Sequence, residues 1–194
     1  MRAVFFDRDG TLMEDVNYCA DPALVRVYPG VREALARLRA AGWGTFLITN
    51  QSGIGRGLIT EEQYRAVEQE FLRQAGQMDG SYYCPDAPGV PSTRRKPEPG
   101  MVLEAAADHG IDLARSWFVG DKAIDVECGR RAGTRTIQVR TGYGAGQPSA
   151  ADYVCDDAVQ LLGATGAHAS RTPRNCLTDG DHVLDRAAGN AMPD

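Results

Sequence analysis

The chain has 194 residues, 43% of them apolar and 24% charged, the make-up of one ordinary globular domain able to bury roughly 70% of its unfolded surface. A net charge of −5, from 21 basic and 26 acidic side chains, argues against a broad nucleic-acid surface, and no apolar run approaches the roughly 20 residues of a membrane span. The amino terminus lacks a signal peptide's apolar core, and the five cysteines, odd in number and widely spaced, match neither a disulfide framework nor a C-x-x-C knuckle, so a reduced, cytoplasmic protein is expected.

Ala3-Val4-Phe5-Phe6 reads as a buried strand. Val31, Ala34, Leu35, Leu38 and Ala41 recur at helical spacing before a stop at Gly42. Thr45-Phe46-Leu47-Ile48 is a second strand, and Thr60 with Gln63 forms a capping box ahead of Tyr64, Val67 and Phe71. Ser81–Cys84 is a third strand, and Pro99 opens a helix through Val102, Leu103 and Ala106 that ends near Gly110. Trp117–Val119 and Thr136–Val139 are strands four and five, flanking a helix over Ile124–Ala132. A weak strand at Tyr153-Val154 and a short helix through Val159, Leu161 and Leu162 follow. Strands alternating with helices predict an α/β fold on a parallel sheet. Residues 1–162 form its domain, and 163–194, poor in apolar residues, form a loosely packed tail.

The chemistry-bearing residues stand at strand ends. Strand one runs into Asp7-Arg8-Asp9-Gly10-Thr11, strand two into Thr49-Asn50-Gln51-Ser52-Gly53, and strand four into Gly120-Asp121-Lys122 with Asp125 following. A parallel sheet brings these ends to one edge, where ligands bind. Asp7, Asp9 and Asp121 together repel one another unless a hard cation joins them, and Mg²⁺ suits oxygen ligands that also meet a phosphate. Lys96 or Lys122 supplies further positive charge, and Thr49 with the amides of residues 50–53 supplies hydrogen bonds to phosphate oxygens. An ionised aspartate is a competent nucleophile toward phosphorus, and a second carboxyl group can protonate the leaving alcohol and then activate water. D-x-D-G-T arises by chance at roughly 10⁻⁵ per window at average composition. Asp125 reads equally well as an acidic residue favouring a helix start.

Phe6-Asp7-Arg8-Asp9-Gly10-Thr11-Leu12, Thr49–Gly57, Arg95-Lys96-Pro97 and Val119-Gly120-Asp121-Lys122 resemble the four motifs of the haloacid dehalogenase superfamily. They are most similar to its heptose 1,7-bisphosphate 7-phosphatase branch, related to histidinol-phosphate phosphatases. The resemblance covers residues 3 to about 162. It implies a three-layer Rossmann-like sheet with strand one central, helices on both faces and no large cap domain. It further implies Asp7 as nucleophile, Asp9 as acid/base, and Thr49 and Lys96 as stabilisers of the phosphoryl group. Asp7, Asp121 and the Asp9 carbonyl would hold Mg²⁺. Asp15, Asn17, Tyr18, Asn50, Gln51, Ser52, Arg95 and Lys122 would bind substrate, a sugar bisphosphate losing its 7-phosphate.

One departure stands out. Relatives of this type carry Cys-x-His and Cys-x-Cys around a structural zinc, and here those positions read Cys84-Pro85-Asp86 and Ser92-Thr93-Arg94. One thiolate of a four-ligand site remains, so no structural zinc is expected. A histidinol-phosphate or other small-metabolite phosphatase is the alternative. A non-enzymatic relative is disfavoured because no catalytic position is missing, and a polynucleotide 3′-phosphatase because the acidic chain lacks a basic track. No partner beyond the small phosphorylated metabolite is indicated, and a monomer is the expected state.

Overall fold

Period-two alternation in the central strands builds both faces of the sheet. In the computed structural model, which describes residues 1–160, β1 (Ala3–Phe6) sends Val4 and Phe6 into one core and Ala3 and Phe5 into the other. β2 (Gly44–Asn50) divides in the same way, with Leu47 on the first face and Phe46 and Ile48 on the second. So does β4 (Trp117–Gly120), with Trp117 and Val119 opposite Phe118. Strands apolar on both faces must be covered on both faces, which is the condition for an all-parallel sheet.

Helices supply the two covers. α1 (Val31–Ala40) and α3 (Glu61–Ala75) bury Val31, Leu35, Leu38, Val67 and Phe71 against the first core. α4 (Gly100–His109) and α5 (Ala123–Ala132) bury Met101, Val102, Ala105, Cys128 and Ala132 against the second. The capping box at the start of α3 forms as expected: the Gln63 amide donates to Thr60 Oγ1 at 3.2 Å, and the Thr60 amide donates to Gln63 Oε1 at 2.8 Å. α2, a single turn at Ser52–Gly55, carries no apolar periodicity and was not foreseen.

With β3 (Gly80–Cys84), β5 (Arg135–Val139) and β6 (Tyr153–Cys155), the sheet runs β3-β2-β1-β4-β5-β6, and every pair is parallel. The chain steps outward from β1 to β3, then returns across the sheet to β4. The switch point between β1 and β4 opens a crevice at the carboxyl ends of the strands, where such sheets bind ligands. The three-layer fold with β1 central is therefore the one expected.

Neither connection at the β1 and β3 ends holds a separate cap. Residues 7–30 fold back as a loop with one 3-10 turn at Pro22–Leu24. Gln74 of α3 ties it down, donating to the Val25 carbonyl at 3.1 Å and accepting from the Val27 amide at 3.2 Å. Residues 85–99 form no helix or strand. Cys19, Cys84 and Cys128 are buried free thiols. Among the described residues no helix is long and apolar enough to cross a membrane. The expected helix through Leu161 and Leu162, and the tail at 163–194, lie outside the described residues.

Candidate active site

Three strand-end carboxylates converge at the crevice. One oxygen from each of Asp7, Asp121 and Asp125 lies within 4.8 Å of the others, and all three residues are buried. Asp7 follows β1, and its amide donates to the Val119 carbonyl of β4 at 2.9 Å, fixing it at the switch point. Asp121 follows β4, and Asp125 sits one turn into the next helix. Asp125 Oδ2 accepts from the Lys122 amide at 3.0 Å, capping α5 and holding the carboxylate toward the site.

Lys96 enters this group from the loop before α4. Its Nζ lies 2.5 Å from Asp7 Oδ1, 2.7 Å from Asp125 Oδ1 and 2.9 Å from the Ile48 carbonyl, so the ammonium pairs with two carboxylates and donates to a backbone oxygen. Burial opposes the ammonium, yet Asp125 and Asp7 hold its pKa above the ordinary lysine value. Lys96 is itself placed by Asn50, whose side chain accepts from the Lys96 amide at 3.0 Å and donates to its carbonyl at 3.1 Å.

One ammonium does not balance three buried carboxylates. Burial pushes the Asp7 carboxyl up to about 8 against the pull of Lys96, with Asp125, Asp121 and Asp9 adding to the rise. Burial also raises Asp121 to about 6, opposed by the hydrogen bond from the Tyr143 amide. Asp121 Oδ2 accepts that amide at 2.7 Å, but Asp121 Oδ1 is buried without a hydrogen-bond partner. An orphaned carboxylate oxygen beside two more buried carboxylates fits a divalent cation. Gly10 makes the close packing possible: its φ is +85°, and a Cβ there would lie 2.5 Å from Asp121 Oδ2.

The charge imbalance gives a pH-dependent prediction. A carboxyl group with a raised folded pKa holds its proton more tightly when folded, so the metal-free fold loses stability as pH rises from about 4, the unfolded value, through about 8. A cation binding ionised carboxylates offsets that loss. The Tm gain on adding saturating Mg²⁺ is therefore expected to be larger near about pH 8 than near about pH 5, in scanning calorimetry. An equal gain at both pH values would place the cation elsewhere.

The Asp9 side chain is not part of the carboxylate cluster. The Arg8 fork grips it, Nε to Oδ1 at 3.1 Å and Nη2 to Oδ2 at 3.0 Å, and Gln51 Nε2 donates to Oδ2 at 3.0 Å. Gln51 also donates to Thr49 Oγ1 at 2.9 Å, which links the second strand end to the acid/base candidate. The side chains of Asn50 and Gln51, expected as substrate contacts, hydrogen-bond to Lys96, Asp9 and Thr49 in this structure, since a crevice of buried charges has to be held by buried polar partners. Ser52 opens α2 at the rim. Asp15 and Lys122 meet there, Nζ to Oδ2 at 3.2 Å. Asn17 is exposed and Tyr18 half-buried, its ring 5.9 Å from the Arg56 guanidinium carbon.

Arg95 Nη1 donates to the Asp86 carbonyl at 2.9 Å, whereas Lys96 joins the carboxylates. The loop that carries Arg95 is held by hydrogen bonds at the positions where the family pattern's zinc ligands are replaced in this sequence. Cys84 Sγ lies 3.4 Å from Asp86 Oδ2 and 3.6 Å from Ser92 Oγ, and Ser92 Oγ accepts the amides of Arg94 and Arg95 at 3.2 and 3.1 Å.

Two residues at the site, Asp125 and Arg8, were not assigned to it by the sequence reading. Asp125 was visible as an acid one turn after Asp121, but a helix start explains such a residue equally well. Arg8 gave no sign, since a fully buried arginine is rare.

Comparison with known proteins agrees with this geometry. Residues 93–161 match the family model described as HAD-hydrolase-like. A D-glycero-D-manno-heptose-1,7-bisphosphate 7-phosphatase of Thermosynechococcus vestitus is 40% identical over 180 residues, covering 80% of this chain and 90% of the relative. One from Chlorobaculum tepidum is 41% identical over 160 residues, covering 73% and 80%. The crystal structure of D,D-heptose 1,7-bisphosphate phosphatase from B. bronchiseptica, complexed with magnesium and phosphate, superposes with a TM-score of 0.74 at 33% identity, covering 84% of this chain and 98% of that one. The chain belongs to the haloacid dehalogenase-like hydrolases, in the phosphatase branch that contains the heptose bisphosphate phosphatases.

Proposed function

We propose that the chain removes the 7-phosphate of D-glycero-D-manno-heptose 1,7-bisphosphate through an aspartyl-phosphate intermediate. The buried Asp7–Lys96–Asp125 group, with Asp121 Oδ1 left unpartnered beside it, carries the chemical half of this reading. The relatives' shared substrate, at about two-fifths identity over most of the chain, supports the sugar half.

Asp7 attacks phosphorus, and the P–O bond to the sugar breaks as Asp9 gives its proton to the leaving oxygen. Asp9 then takes a proton from water, which attacks phosphorus, and Asp7 leaves with the electron pair of its P–O bond. Asp7, Asp121 and the Asp9 carbonyl, with Asp125 beside them, would hold Mg²⁺, which would supply positive charge to the phosphoryl oxygens. Lys96 keeps Asp7 in one orientation and adds a fixed positive charge beside the transferring group. Thr49 supplies a hydroxyl at the end of β2, and Arg8 and Gln51 hold Asp9 until the substrate arrives. Arg95, on the loop away from the carboxylates, serves the remote end of the substrate, as do Asp15, Asn17, Tyr18, Ser52 and Lys122 at the rim. The work is that of a cytoplasmic, monomeric enzyme that uses no structural zinc.

A substrate panel tests this reading. The kcat/KM for heptose 1,7-bisphosphate is expected to exceed that for histidinol phosphate by roughly 10²-fold, since polar contacts to a remote group discriminate strongly. A heptose bisphosphate no better than histidinol phosphate would leave the phosphatase chemistry standing and remove the heptose assignment.

A further inference from the structure

The loop after β5 is a further strand-end segment at the crevice, and no motif pointed to it. Thr141 Oγ1 donates to the Gly10 carbonyl at 2.6 Å, and the Tyr143 amide donates to Asp121 Oδ2 at 2.7 Å. Gly142 has a φ of +54°, and a Cβ there would overlap the Asp121 carboxylate and the Gly10 backbone. The loop is thus keyed to Asp121 of the carboxylate cluster and to Gly10 packed against it, and Tyr143 has a fixed place beside them.

Its side chain does not pack inward. Tyr143 keeps 63% of its surface exposed, the most of any large apolar side chain among the described residues. A single exposed aromatic is ordinary in itself. Here it has company: Lys122 Nζ lies 4.4 Å from the Tyr143 ring centroid and 3.2 Å from Asp15 Oδ2. Three loops, after β1, β4 and β5, therefore bring together a carboxylate, an ammonium and an aromatic face. Each restrains the next, so the long lysine chain is held before any ligand arrives.

This set has a chemical preference. Asp15 offsets the Lys122 charge, which makes the trio a poor site for a second phosphate. It offers hydrogen-bond acceptors, donors and a flat apolar face, and a polyhydroxylated carbon chain needs all three. We infer that Tyr143 is a specificity-determining residue which, with Lys122 and Asp15, forms the subsite for the hydroxylated carbon chain of a sugar phosphate, the ring lying against its C–H face. The inference rests on the sugar-phosphatase reading and adds the surface that recognises the sugar.

The test compares Tyr143→Ala and Tyr143→Phe on heptose 1,7-bisphosphate and on acetyl phosphate, which has no hydroxylated carbon. Tyr143→Ala is expected to lower kcat/KM for the sugar bisphosphate about 10-fold more than for acetyl phosphate, mainly through KM, and Tyr143→Phe to retain the wild-type ratio. Equal losses on both substrates would mean that the loop only supports Asp121, and no loss on either would mean that the ring is idle. A Tyr143→Phe loss as large as that of Tyr143→Ala would assign the effect to the hydroxyl. Each of these outcomes overturns the inference. If the unmutated enzyme itself shows no preference for the sugar bisphosphate over acetyl phosphate, the sugar-phosphatase reading fails first and takes this inference with it.

Discussion

Asp7→Asn is expected to reduce kcat to below about 10⁻⁴ of the wild-type value while leaving the fold intact. An amide has the carboxylate's shape but cannot form the aspartyl phosphate. Nothing else at the site replaces it, because Asp121 and Asp125 are pinned by the Tyr143 amide, the Lys122 amide and Lys96. Stability should move the other way. Three buried carboxylates face one ammonium, and burial pushes the Asp7 carboxyl up to about 8, so a neutral amide there removes the cost of burying that group. The metal-free Asp7→Asn protein should then melt at or above the wild-type Tm near neutral pH. Activity on p-nitrophenyl phosphate and a thermal melt on the same preparation check both halves. Residual turnover near wild type in the folded variant would exclude Asp7 as the nucleophile.

Lys96→Met should lower kcat by roughly 10²-fold or more, the usual scale for losing a fixed charge at a transition state. Methionine keeps most of the stem's volume and removes the ammonium. The same change leaves Asp7 and Asp125 without their shared partner, a loss that typically costs about 3–5 kcal/mol when one member of a buried ion pair is removed. Saturating Mg²⁺ should restore part of that stability and little of the rate, because the cation offsets carboxylate charge without orienting Asp7. Initial rates at saturating substrate, with and without Mg²⁺, read this directly. A variant with normal kcat and a raised KM would show that Lys96 serves binding alone.

The parts of the fold and site that follow from local rules were legible in the sequence. Apolar runs at Ala3–Phe6 and Thr45–Ile48 could only be doubly buried strands, and Thr60 with Gln63 announced the start of α3. The aspartates of D-x-D-G-T, Thr49 and Asp121 stood at strand ends, and a parallel sheet gathers such ends without further information. What stayed hidden depends on who meets whom across the crevice. No local pattern shows that the Asn50 amide holds the Lys96 backbone. Gln51 likewise bridges Asp9 and Thr49. Arg8 lies fully buried between two aspartates, and no local pattern places an arginine there. Tyr143 sits in a glycine-rich loop that resembles any surface turn until Gly142 is seen packed against Asp121.

Asp9→Asn offers the most direct test of the proposed chemistry, because it separates the two half-reactions. With p-nitrophenyl phosphate the leaving group needs little protonation, so Asp7 should still be phosphorylated, while water without its base attacks the intermediate slowly. Rapid-quench experiments with this variant and Mg²⁺ should show a burst of about one p-nitrophenol per active site. Mass spectrometry of the quenched protein should place a phosphoryl group on the peptide containing Asp7, removable by hydroxylamine. A burst without a label on that peptide, or a label on any other residue, would contradict nucleophilic catalysis by Asp7.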